Sequence, residues 1–349
     1  MTEQEKTMKD GRVSGFFAGL MVGVLLATIG FALFIRSQGQ DESQAGNDEV
    51  MVLKLGHTLD PNHPVHAALE YMKKRLEEIS GGTVSIDIYA SGVLGTETQS
   101  IEQLQNGALA MTKTSASPME GFIPEMAVFS LPYVFRDRDH YWKVLDSELG
   151  KRLLLGGQDK NLRGLCYFDS GSRNFYTIDK PVLTPDDLIG LKIRVMNSKT
   201  AIDMVSALGG APTPIAWGEL YTSLQQGVVD GAENNPPSYY SNRNYEVCKY
   251  FSMDGHTRVP DILLISTEVW ENLPPQVQIW VQQAADDASI YQRELWQEKT
   301  EESLRLAQEE GVQVFYPDKA PFIEKVRPLL ESYEGTPVGD LLNQIREIQ

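Results

Sequence analysis

From Val50 onward, apolar and polar positions alternate between two periods. The stretches VMVLKLG (50–56) and TVSIDIY (83–89) have the two-residue period of half-buried strands. Between them Leu69, Met72, Leu76 and Ile79 recur at helical spacing over 65–79, and Thr96 to Gln105, with Ile101 and Leu104, is helical again. Strand, helix, strand, helix at this spacing predicts an α/β fold with at least partly parallel sheets. The pattern resumes with the strand-like LRGLCYF (162–168) and LKIRVMN (191–197), a short helix over 201–208, a helix over 218–226 ending at Gly227, and the apolar strand DILLIST (261–267). Pro275 to Glu310 then runs without an internal Gly or Pro, with Pro275 suited to a first turn and Gly311 to a C-terminal stop. That predicts one helix of roughly 35 residues, about 50 Å long at 1.5 Å per residue and long enough to span two small domains. VQVFYP (312–317) is a short strand, and two helical pieces close the chain.

The amino terminus has a different character. Gly15 to Ile35 is one uncharged apolar run, and as a helix it could cross a bilayer about 30 Å thick. Lys6, Lys9 and Arg12 precede it and Arg36 follows, which favours the amino terminus inside and the main body outside. No clear A-x-A site follows, so 1–36 reads as an uncleaved signal anchor, with a cleaved signal peptide as the alternative. Both export the body. The G-x-x-x-G spacings of Gly15, Gly19 and Gly23 are ordinary for such a segment. Residues 37–49, without an aromatic or branched side chain, read as a flexible linker.

Composition narrows the function. The chain of 349 residues carries 48 acidic against 31 basic side chains, a net charge of −17, which argues against a nucleic-acid partner. Its 42% hydrophobic content excludes global disorder. Cys166 and Cys248 cannot make a multi-disulfide scaffold, and buried free thiols are expected over a single bridge. No G-x-S-x-G, G-x-x-x-x-G-K-[ST] or G-x-G-x-x-G motif is present, so no enzyme class is indicated. His57, His63 and His66 stand within ten residues with Asp60 nearby, residue types that zinc takes. There is no H-E-x-x-H, and His63 precedes Pro64 at a helix start, so a polar loop without metal or cofactor is expected; a periplasmic zinc protein or metalloenzyme is the rival from another class.

The stretch from Gly171 to Asn235 carries the chemistry. Arg173 and Arg194 stand at or near strand ends, and a guanidinium fork can grip a carboxylate with two parallel hydrogen bonds. In LKIRV the two-residue period puts Ile193 and Val195 on one face, Lys192 and Arg194 on the other. GLKIRV, LGGAPTPIAWGELYTSLQQGVVDGAEN and the upstream GVLGTETQSIEQLQNGALAM with FSLPYVF closely resemble the extracytoplasmic solute receptors of TRAP transporters. The resemblance runs from Val52 nearly to the carboxyl terminus and includes the long helix.

That resemblance implies a two-lobed, periplasmic-binding-protein-like α/β fold whose lobes close over an organic acid, with the long helix spanning both. Lobe 1 is expected over 50–171 and 259–299, lobe 2 over 172–258 and 300–349. Arg194 corresponds to the family's carboxylate-gripping arginine and Arg173 to its second arginine. Trp217 corresponds to the aromatic packed on the ligand, although plain core is its ordinary role, and Asn234 to the polar residue of D-G-x-E-N. Glu233 and Asp230 are expected to support the fold, and Asp261 to face the pocket. In lobe 1 the loop after the first strand offers His57, Thr58 and Asn62, and Ser115 and Ser117 follow the strand ALAMTKT. Sialic-acid receptors of the family have Glu and Arg near that point, where this chain has Ser115 and Pro118. ENNPPSYY and HTRVPD look more like the hexuronate branch. The resemblance thus implies a sugar acid, a dicarboxylate being the alternative. It also implies TRAP membrane subunits as partners and sodium-driven uptake; together with the apolar N-terminal segment, the expected location is periplasmic or extracytoplasmic, tethered to the cytoplasmic membrane by that segment.

Overall fold

A computed structural model describes residues 50–349, and these form one compact unit. The strands in chain order are β1 (Met51–Gly56), β2 (Val84–Tyr89), β3 (Met111–Ser115), β4 (Leu162–Phe168), β5 (Arg173–Thr177), β6 (Lys192–Val195), β7 (Ala211–Pro214), β8 (Gly231–Asn234), β9 (Tyr250–Thr257), β10 (Asp261–Ser266) and β11 (Gln313–Phe315). They build a five-stranded sheet, β2-β1-β3-β10-β4, and a six-stranded sheet, β11-β9-β5-β8-β6-β7. Both sheets are mixed. β1 runs parallel to β2 and β3, whereas β10 is antiparallel to β3 and β4. In the second sheet β6 is parallel to β7 and β8, and β5 is antiparallel to β8 and β9.

The helices cover these sheets for local reasons. Pro64–Ile79 starts with Pro64 at its first turn and buries Val65, Ala68, Leu69, Met72 and Leu76 against the first sheet. Glu97–Gln105 opens with a capping box between Thr96 and Gln99. The long helix is present as Pro275–Glu309. Its first half packs Val277, Val281, Ala284 and Ala288 into the core of the first sheet, and its last turns put Ala307 into the core of the second. One uninterrupted helix therefore serves both halves.

The chain also crosses between the sheets at 169–172 and 258–260. Asp169, fully buried in the first crossing, accepts from Arg138 Nε at 2.9 Å and Trp142 Nε1 at 3.1 Å, while Gln292 of the long helix bonds its backbone on both sides. Ser170 Oγ donates to the carbonyl of Val259, joining the two crossings.

The last helices draw on two cores: the final helix, Pro337–Glu347, packs Leu341, Leu342 and Ile345 among Phe129, Phe135 and Tyr141, in the core that β10 shares through Ile262 and Leu264. The helix Ala320–Glu331 does stay with the second sheet, through Phe322 and Val326. Amphipathic spacing shows that each helix has a core face but not which core receives it.

Cys166 and Cys248 are buried and unpaired, in the cores of different sheets. Among the described residues no helix is long and apolar enough to cross a membrane. The apolar run Gly15–Ile35 and the linker 37–49 lie outside the described residues.

Candidate functional site

Strand ends from both sheets converge on a narrow polar cavity of about 40 Å³. The first sheet contributes Lys113 and Ser115 from β3 and Asp261, the first residue of β10 and the register partner of Ser115. Thr58 and Glu97 join them from the loops and helix above. The second sheet contributes Arg173 at the start of β5, Arg194 in β6 and Asn234 at the end of β8. Trp217 opens the helix Trp217–Gln225, and Ser170 reaches in from the crossing. Sheet geometry explains the convergence: β5 and β10 run antiparallel to their neighbours, so their first residues lie beside the last residues of β8 and β3.

The two arginines differ in what they have left to offer. Arg173 Nη2 donates to Glu233 Oε1 and to the Glu233 carbonyl, both at 2.7 Å, and its Nε donates to Glu233 Oε2. Its Nη1 donates to Asn234 Oδ1 at 2.9 Å. Behind this pair, His256 lies between Asp254, at 2.7 Å, and Glu233, at 3.4 Å, all fully or nearly fully buried. Burial by itself would raise the Glu233 pKa, but Arg173 and His256 outweigh it and hold the carboxyl down to about 2. Burial likewise pulls His256 down, and the two carboxylates overcome it and push the ring up to about 9. Arg173, Glu233, His256 and Asp254 thus form a charge-balanced buried chain.

Arg194 has no such partner. Its Nε donates to the Ile215 carbonyl at 2.8 Å, and its Nη1 is buried without any hydrogen bond. No carboxylate among the described residues lies within ion-pair distance of it. Burial lowers its pKa, yet a guanidinium stays protonated, so the cavity wall holds a cation with one edge of its fork open. The Trp217 ring stands 5.8 Å from its Cζ, at cation–π range.

The opposite wall is acidic and better satisfied. Lys113 Nζ lies 3.0 Å from Asp261 and 3.5 Å from Glu97, and Glu97 also accepts from the Ser115 amide at 3.0 Å. Burial pushes Asp261 up to about 6, with Lys113 pulling the other way. Asn234 turns its carbonyl oxygen to Arg173 and to the Asn235 amide, which leaves its NH₂ group for the cavity.

Of the residues singled out from sequence, Arg173, Arg194, Trp217, Asn234, Ser115, Asp261 and Thr58 line this cavity. His57 and Asn62 do not. His57 is buried behind the wall, accepting from the Leu59 amide through Nδ1 and bonded through Nε2 to His66 Nδ1 at 2.9 Å. Burial holds its pKa down to about 3, so the ring is neutral. Asn62 is exposed and donates to Asp60 Oδ1 within its own turn. Ser117 bonds Ser130, away from the cavity. Both ring nitrogens of His57 and of His63 are engaged in hydrogen bonds, and among the described residues no cluster of three His, Cys, Asp or Glu side chains is arranged to hold a metal. Glu97, Lys113, Ser170 and Ser238 line the cavity without having been singled out. Lys113 carries a legible signal, a lone lysine in the strand-like ALAMTKT, whereas Glu97 reads only as part of the helical stretch 96–105.

The model of the bacterial extracellular solute-binding protein family 7 matches residues 55–336. A solute-binding protein of Chromohalobacter salexigens is 38% identical over 292 residues, which is 83% of this chain and 87% of that protein. Among solved structures, a TRAP periplasmic solute-binding protein of C. salexigens with bound D-glucuronate superposes with a TM-score of 0.82 at 37% identity, covering 85% of this chain and 100% of that one. One from Bradyrhizobium with bound α/β-D-galacturonate also gives a TM-score of 0.82 at 37% identity, covering 84% and 99%. The motifs, the two-sheet architecture and these matches agree: the chain belongs to the bacterial extracellular solute-binding protein family 7, the TRAP-type solute receptors.

Proposed function

We propose that this receptor binds a monoanionic sugar acid, a hexuronate in the first place, between its two sheets and hands it to the membrane subunits of a TRAP importer. The observation that carries this reading is the open guanidinium in the cavity wall: Arg194 has no carboxylate partner among the described residues, whereas Arg173 is neutralised by Glu233. One carboxylate completes the site. A second one, on a dicarboxylate, would meet the wall where Glu97 and Asp261 share the one cation Lys113. Trp217 offers a flat face for a pyranose, and Asn234, Ser115 and Asp261 supply donors and acceptors for hydroxyls. The relatives with bound glucuronate and galacturonate support the same ligand class. On this reading ligand contacts from both lobes select the closed state, the lobes being 50–171 with 259–299 and 172–258 with 300–336, and the final helix belonging with the first. The apolar run Gly15–Ile35 tethers the receptor outside the cytoplasmic membrane.

Calorimetry and thermal shift with D-glucuronate and D-galacturonate, against succinate, malate and sialic acid, test the proposal. Binding of the uronates is expected. Stabilisation by succinate or malate alone would overturn it and reassign Arg173 and Arg194 to two carboxylates.

A further inference from the structure

Ser238 lines the cavity, 4% exposed, with its Oγ 3.1 Å from His63 Nε2. His63 caps the helix Pro64–Ile79, and its Nδ1 lies 3.2 Å from the Val65 amide. A backbone N–H only donates, so Nδ1 is the acceptor and the ring proton resides on Nε2. The ring therefore donates to Ser238 Oγ. That oxygen has no other protein partner among the described residues, so the hydroxyl proton is left without an acceptor in the protein. The Ser238 amide is held in turn by Asn235 Oδ1 at 2.8 Å, which fixes the residue's backbone at the cavity wall.

We propose that Ser238 is a specificity-determining residue that donates a hydrogen bond to an oxygen of the bound sugar acid, and that His63 is the positioning residue that directs it. This rests on the sugar-acid reading of the cavity. An accepting oxygen is required at that point of the ligand: a hydroxyl, ring or carboxylate oxygen fits, and an ammonium group does not. The relay also joins segments from the two sheets, since His63 follows β1 and Ser238 follows β8.

The direction should not switch over the ordinary pH range. Burial holds the His63 pKa well below its usual value, and Lys113 of β3, His57 of the loop after β1 and His66 of the same helix all push it the same way. The long helix presents the uncharged Trp296, 5.7 Å from the ring.

The test is calorimetry with D-glucuronate and D-galacturonate on the wild type, Ser238→Ala, His63→Asn and the double variant. Asn is a good helix cap, so His63→Asn keeps the Val65 contact while its shorter amide gives up Ser238. Ser238→Ala is expected to weaken binding about tenfold and His63→Asn at least threefold, with the double variant no weaker than Ser238→Ala. The ratio of wild-type to Ser238→Ala affinity is expected to stay constant from pH 5.5 to 8. Ser238→Ala binding within twofold of wild type, additive losses in the double variant, or a ratio that changes more than threefold with pH would each overturn the inference. Should His63→Asn not fold, the Ser238→Ala affinity and its pH series decide alone. A wild type that binds neither uronate would overturn the sugar-acid reading and this inference with it.

Discussion

Arg173 and Glu233 clasp each other on adjacent strands, with Arg173 Nη2 donating to Glu233 Oε1 at 2.7 Å and Nε donating to Oε2. The edge of the guanidinium that could grip a ligand carboxylate in two-pronged fashion is thereby consumed. Two arginines that look equivalent along the chain are unequal in the fold, and only Arg194 keeps an open edge.

Replacing Arg194 by alanine is expected to cost about 3–5 kcal/mol of ligand binding, more than a hundredfold in affinity, because the ligand carboxylate would be buried without its partner. Arg194→Lys should also bind clearly more weakly, since an ammonium cannot supply two parallel donors. Calorimetry with glucuronate checks both; an alanine variant within threefold of wild type would refute the assignment.

Glu233→Ala is expected to destabilise the protein itself by about 3–5 kcal/mol, because it leaves Arg173 buried without a counter-charge. Urea denaturation without ligand is the measurement. Unchanged stability together with lost binding would mean that Glu233 contacts ligand instead.

Trp217 separates two outcomes. If it stacks on the sugar, Trp217→Ala weakens binding while Trp217→Phe retains most of it. Normal binding in both variants with a lowered melting temperature would assign the ring to core packing, where it also touches the cores of both sheets.

The His256 ring gives a pH signature. Its pKa rises from 6.5 to about 9 on folding, so it stabilises the fold fully below pH 6.5 and loses that contribution as the pH climbs through 9. The melting temperature of the wild type should therefore fall between pH 7 and 10 more steeply than that of His256→Gln. Parallel curves would show that the ring is neutral in the fold.

Much of this molecule was legible along the chain, and the reason is that periodicity is a local property. The strand–helix alternation and the 35-residue helix Pro275–Glu309 follow from spacing, whereas the cavity residues Arg194, Trp217 and Asn234 were legible through the family resemblance that their short motifs carry. What only the tertiary structure decided concerns partners distant in sequence. The last helix chose the first sheet's core through Leu341 and Leu342, although its own amphipathicity is silent on which core. Arg173 was neutralised by a residue sixty positions away, and Lys113 was set between Glu97 and Asp261, because antiparallel pairing lays β10 beside β3 and β8 beside β5. His57 and Asn62 sit in the expected loop, yet their side chains bond nearby groups, His57 to the Leu59 amide and His66 and Asn62 to Asp60, because local polar groups are satisfied before a side chain reaches a cavity. Charge balance in a buried site depends on every neighbour within a few ångströms, and those neighbours come from separate segments that only folding brings together.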